Sequence, residues 1–102
     1  MTPPAEFKTT FAAADSARTA NQLAAAAVTA AKDALQIARC DFGLGQFRRS
    51  AAADYAARVR VRDAETALRQ AEAALSSARA ALHAADREHD LVCAILGLSV
   101  AS

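Results

Sequence analysis

The chain is poor in everything that interrupts a helix. It holds three glycines and two prolines in 102 residues, and both prolines, Pro3 and Pro4, sit at the start. These two residue types cost a helix interior most, so their scarcity favours long helices and leaves little room for sheet. Tryptophan is absent, Tyr55 is the single tyrosine, and aromatics amount to 5%. The basic residues are therefore not interleaved with the stacking side chains of a single-stranded nucleic-acid platform. Formal net charge is only +1, so no global field selects nucleic acid or a membrane surface. Long apolar runs are also missing: Leu23–Val28 and Leu91–Leu98 fall far short of the ~20 residues of a membrane-spanning helix. No targeting pattern is visible in Met1–Phe11, because a basic start followed by an apolar run is lacking. Cytoplasmic synthesis is the expectation, with incorporation into a particle or export without a signal peptide as further routes.

What fills the chain instead is alanine. Hydrophobic residues make up 54%, and alanine supplies more than half of them, so apolar positions are many while the area each one buries is small. Every seventh residue from Val61 reads Val61, Leu68, Leu75, Leu82, His89, Leu96. Three positions after the first five stand Ala64, Ala71, Ala78, Ala85 and Val92. This is an a/d heptad seam with a large residue at a and alanine at d. The first half of the chain repeats it, with Phe7, Ala14, Asn21, Val28, Leu35 and Phe42 at a and Thr10, Ala17, Ala24, Ala31 and Ala38 at d.

The punctuation divides the chain in two. Thr2-Pro3-Pro4 reads as a helix start with Thr2 as cap, and Glu6 falls near the positive end of the dipole. Gly43-Leu44-Gly45-Gln46 breaks both columns and reads as a turn, while Gly97 reads as a C-terminal cap. The expected layout is one helical-hairpin domain over 1–102: helix 4–42, turn 43–46, helix 47–96 and a frayed tail 97–102. Facing residues of an antiparallel pair have numbers that add to a constant. Pairing a with a gives 89 at every level, from Phe42 with Phe47 to Phe7 with Leu82, and pairing d with d gives 88. In that register the second helix outruns its partner after residue 85, yet becomes more apolar there: Leu91, Val92, Ile95, Leu96, Leu98.

Apolar residues also lie off the seam. Ala13, Ala20, Ala27 and Ala34 form a further strip on the first helix, Ala67, Ala74 and Ala81 on the second, and Phe11, Leu23 and Ile37 stand outside both columns. A single hairpin covers only one face of each helix, so assembly into a larger bundle or ring is expected. The protein-interaction residues expected from this pattern are Leu91, Val92, Ile95, Leu96, Leu98, Phe7, Phe11 and Asn21. Asn21 is the polar residue in mid-column, expected opposite Leu68. It either pairs with its equivalent in a second subunit, as buried asparagine does in coiled coils, or turns to solvent.

Chemistry-bearing sets are sparse. Asp86, His89 and Cys93 share one helical stripe with the types and spacing of metal ligands. No second cluster completes the set, so a solvated or interface histidine is the plainer reading. Cys40 and Cys93 lie far apart in the expected hairpin, beyond the reach of a disulfide. They read as small thiols in a reducing compartment, with inter-subunit crosslinks as the alternative. Neither a paired-carboxylate stripe, a nucleophile–base set nor a phosphate-binding glycine loop is present, and the chain reads as non-enzymatic, with no cofactor and no metal.

With a turn near residue 43 in a chain of this length, the layout resembles the small secreted helical hairpins defined by a central Trp-x-Gly. The stretch Phe42-x-x-Gly45 to Asp54, followed by an Ala-rich helix ending Ile95-Leu96-Gly97, is similar to the coiled-coil repeats of TolC-type outer-membrane efflux proteins. The turn here reads Phe42-Gly43-Leu44-Gly45, no Tyr-x-x-x-Asp/Glu follows the second helix, and the efflux proteins' strands and signal peptide have no counterpart. No functional residue carries across from either. The sequence thus reads as an all-α, alanine-rich antiparallel two-helix coiled coil acting as a structural or assembly subunit, of a phage particle or secretion apparatus for example. The alternative is a small protein-binding module: a leaderless secreted hairpin, an adaptor or a phage inhibitor of a host protein. The expected partner is the chain itself or another protein, rather than a small molecule, nucleic acid or membrane.

Overall fold

The computed structural model describes residues 4–45 and 50–97. They form two helices, α1 (Ala5–Gly45) and α2 (Ala51–Ile95), with no strand among them. The fold is an all-α antiparallel two-helix hairpin. It divides into two compact units. Unit 1 joins Met1–Leu23 to Ser76–Ser102, and unit 2 is Ala24–Leu75.

The helix ends follow local chemistry. The first bond of α1 runs from the Lys8 N–H to the Pro4 carbonyl, 3.2 Å; the expected cap Thr2 lies outside the described residues. Ser50 caps α2, its hydroxyl oxygen accepting the Ala53 N–H at 3.2 Å, three residues into the helix as an N-cap side chain should. Asp54 then pairs with Arg58 at 2.8 Å, its charge near the positive end of the dipole. At the far end Gly97 has φ 71°, and its N–H reaches the Ala94 carbonyl at 3.2 Å. That left-handed residue and its bond to an otherwise orphaned carbonyl make Gly97 the C-terminal cap its sequence position suggests.

The turn is not where the glycines suggest. α1 continues through Gly43 and Leu44 to Gly45, which removes the turn shared with the two resembled families. Residues 46–49, the end of the expected turn and the expected start of the second helix, lie outside the described residues; α2 is described from Ala51. Each glycine costs a helix about 1 kcal/mol relative to alanine, but Phe42 is half-buried with the Arg58 guanidinium 5.7 Å from its ring centroid. Tertiary packing at Phe42 holds the last turn against a weak local preference.

The seam itself is as read. Every a and d position named for α1, from Phe7 to Phe42, is buried or half-buried, and so is every one in α2 from Val61 to Val92. Leu96 falls just beyond α2 and is 39% exposed. Among the described residues the buried apolar set is small, Ala14, Val28, Leu35, Ala57 and Cys93, and each keeps a few per cent of its surface exposed.

The register differs from the expected one. In unit 1 the Thr10 hydroxyl lies 2.8 Å from His89 Nδ1, a pair whose numbers add to 99 rather than 88 or 89. In unit 2 Phe42 meets Arg58, and Leu35 and Leu68 line one furrow, in keeping with the same level. Carried along each unit, that level sets a against d: Phe42 with Ala57, Leu35 with Ala64, Ala31 with Leu68, Ala17 with Leu82. Large against small keeps the helix separation even, whereas large against large would spread some levels and leave voids at others. Asn21 accordingly stands level with Ala78 in unit 1, not with Leu68, and Phe7 packs beside His89 instead of Leu82. Nor does α2 lose its partner after residue 85: His89 meets Phe7, Thr10 and Phe11, and Cys93 is 4% exposed. Interhelix ion pairs Arg18–Asp86 in unit 1 (3.7 Å) and Arg39–Glu65 in unit 2 (3.9 Å) are exposed and contribute little stability. They mark one edge of each unit, the e positions of the heptad.

Register is checked by cysteine crosslinking in a Cys40→Ser, Cys93→Ala background. Pairs at Ala14/Ala85 and Ala38/Val61 should close a disulfide within one chain. Ala24/Ala64, offset by about 16 Å along the axis at 1.5 Å per residue, should not; efficient closure of that pair would restore the 88 register.

Candidate interaction surface and the His89 cluster

Unit 1 gathers its polar side chains around His89. Thr10, at a d position, is 8% exposed. Its hydroxyl donates to the Glu6 carbonyl at 3.0 Å, so its oxygen accepts from His89 Nδ1–H at 2.8 Å. With the hydroxyl proton on the Glu6 carbonyl, the matching tautomer carries its proton on Nδ1 and has Nε2 as an acceptor. Facing it is Cys93 Sγ at 3.7 Å, one helical turn on, with the thiol proton as the donor. Phe7 and Phe11 stack on each other and flank the imidazole, with centroids 5.0 and 5.8 Å from the ring. The cluster locks α1 to α2 through a connected polar chain sheathed in aromatics.

Its chemistry is limited by access. Cys93 and His89 have the relation of a thiol and its base, but the sulfur is buried and offers a substrate no approach. Asp86 faces Arg18 rather than joining them, and among the described residues no group of three or more His, Cys, Asp or Glu side chains is assembled to hold a metal. Beside the cluster an open hollow of about 290 Å³ is lined by Phe11, Ala14, Arg18, Asp86, His89 and Asp90; it lies at the level where two small residues, Ala14 and Ala85, face each other. Unit 2 has an open furrow of about 570 Å³ lined by Lys32, Leu35, Gln36, Arg39, Cys40 and Leu68. Both are open grooves; the unit 1 hollow carries charges of both signs, Arg18 with Asp86 and Asp90, whereas the charged residues lining the unit 2 furrow, Lys32 and Arg39, are both basic. Among the described residues no helix is long and apolar enough to cross a membrane.

The expected interaction residues separate into two groups. Phe7, Val92 and Asn21 are half-buried in the hairpin seam, and so serve the internal contact. Leu91, Ile95 and Phe11 are exposed at 61, 75 and 54%, and Leu96 at 39%; Leu98 lies outside the described residues. Thr10, the hydrogen-bond partner of His89, is absent from the expected set, although the sequence carried a signal for it. A polar d residue and a polar a residue fall at one level once a is set against d. Asn21 keeps its ambiguity in part: its Oδ1 is covered and has no hydrogen-bond partner among the described residues, a state that costs about 1–3 kcal/mol.

Two stability measurements test this account. Thr10→Val should lower unfolding free energy by about 1–3 kcal/mol by stranding the imidazole N–H, and adding His89→Leu should recover part of the loss, because two apolar partners leave nothing unsatisfied. Asn21→Leu should raise stability by about 1 kcal/mol or more by removing the orphaned acceptor and adding apolar burial; a loss in thermal unfolding would mean that the amide has a partner. No protein-family model, curated protein or solved structure matches this chain.

Proposed function

We propose that the chain is a non-enzymatic assembly subunit that works by presenting Ala-rich helical faces for self-association. One observation carries the reading. Among the described residues eight large apolar side chains are exposed, and five of them share one edge of their helix, whereas Phe11 at e, Tyr55 at b and Leu96 at a do not. In α1, Leu23, Ile37 and Leu44 are 68, 63 and 86% exposed, and in α2, Leu91 and Ile95 are 61 and 75% exposed. By the heptad frame of the seam all five occupy c or g positions, one edge of each helix, with alanine at most of the intervening sites. Single exposed apolar residues need no explanation, but a contiguous set in a heptad pattern is what a second helix packs against. The apolar end of α2 belongs to this set through Leu91 and Ile95, so docking there uses the flank of the helix and not a projecting tip. A phage particle or a secretion apparatus is the kind of setting such a subunit suits, and a small protein-binding module is the second use of the same edge.

Sedimentation equilibrium of the full chain tests the reading. The expected result is a mass that is a multiple of 10.6 kDa, reduced by the paired change Leu91→Glu and Ile95→Glu. Because both side chains are exposed, that variant should unfold within about 1 kcal/mol of the parent. A mass of one chain at all concentrations would instead favour the binding-module use.

A further inference from the structure

The two edges of unit 2 differ in kind. The edge marked by Arg39–Glu65 holds the e positions Ala25, Lys32, Arg39, Ala51, Arg58, Glu65 and Glu72, five of the seven charged. The opposite edge holds the g positions Ala27, Ala34 and Asp41 of α1 and Ala53, Arg60, Ala67 and Ala74 of α2. Antiparallel helices bring like flanks together, as the e-to-e ion pair shows, so these g positions share one face. Ile37 and Leu44 of α1 and Ala56, Asp63 and Gln70 of α2 adjoin them at c, and every residue named on this face is exposed. α1 repeats there the 3-4 spacing of its own seam: Ala27, Ala30, Ala34, Ile37, Asp41, Leu44. It is a second coiled-coil seam without a partner inside the chain.

We infer that this face of unit 2 binds the same face of a second copy, α1 lying across α2 of the partner subunit about a two-fold axis parallel to the helices, to make a four-helix layer. The inference rests on the self-association reading above and specifies the part of its surface that unit 2 contributes, in addition to the Leu91 and Ile95 edge of unit 1. Three features select this occupant. A two-fold makes a patch meet itself; here it brings Leu44 level with Ala53 and Ala56 of the partner subunit, large against small, and Ala34 level with Ala67 of the partner subunit, small against small. The same rotation brings Asp41 level with Arg60 of the partner subunit, twice per dimer, and neither residue has an ion pair within its own chain among the described residues. The footprint suffices as well. Helical segments about 30 Å long, side by side across about 18 Å, cover about 550 Å² per copy. The total of about 1,100 Å² clears the ~1,000 Å² of a specific interface. Alanine at the contact allows the close approach on which such packing depends.

The test is sedimentation equilibrium of the full chain and its variants, with helicity followed by circular dichroism. Ala34→Glu and Ala67→Glu should each weaken self-association at least tenfold with helicity unchanged. Ala25→Glu, on the opposite edge, should leave it unchanged. Asp41→Arg alone and Arg60→Asp alone should weaken the dimer, and the two together should restore it, because the swap reverses both ends of each intersubunit pair. A wild-type chain that stays at single mass would remove self-association itself. An oligomer that survives Ala34→Glu and Ala67→Glu would keep self-association but overturn this face as its seat. Failure of the double charge swap to restore the dimer would overturn the α1-on-α2 arrangement.

Discussion

The structure depends on one packing rule: at nearly every level of the seam a large side chain faces a small one. Alanine at d lets the helices approach closely, and the large a residue of the other helix fills the space at each step. Because the chains run in opposite directions, a of one helix meets d of the other, and Leu35 with Ala64 or Ala17 with Leu82 become the repeating unit. Little of the interior is large, so cohesion comes from many close contacts of small atoms and not from a few big side chains. Such a seam has low tolerance for bulk, and its register is set by where large and small alternate.

Three levels depart from the rule, all in unit 1. Phe7–Val92 sets large against large. At Thr10–His89 both residues are polar, and the level is held by a hydrogen-bonded chain from the Glu6 carbonyl through Thr10 and His89 to Cys93. At Ala14–Ala85 both are small, and the hollow beside Phe11 and Asp90 lies there. Asn21, level with Ala78, keeps a covered oxygen without a donor. Unit 1 thus carries the polar and irregular levels, whereas the levels of unit 2 follow the large-small rule with Phe, Leu and Val. The stability of the two units should differ in kind, one governed by hydrogen-bond satisfaction and the other by fit.

The surface extends the same logic outward. One flank of each unit is charged and bridged between helices, which keeps that side hydrated. The other flank is lined with alanine and a few exposed Leu and Ile side chains in heptad spacing. A chain in which both flanks were charged would be complete as a hairpin; this one has a used seam and an unused one. That asymmetry is what the proposed function rests on.

The helical class, the two helices and the membership of the seam were legible in the sequence, because heptad spacing and the scarcity of breakers are local properties of the chain. So was the cap at Gly97, where one residue's backbone freedom decides. Register was not legible, because it depends on how two seams mesh, and the same columns satisfy a-on-a and a-on-d arithmetic equally well until steric fit chooses. The turn was misplaced for a related reason: Gly43 and Gly45 weaken a helix locally, and only the packing of Phe42 against α2, invisible in the local sequence, outweighs them. The burial of Cys93 and the pairing of Thr10 with His89 follow from that register. Tertiary contact alone decided which apolar residues at the end of α2 face inward and which remain outside, since helix periodicity defines stripes but not the level at which a partner meets them.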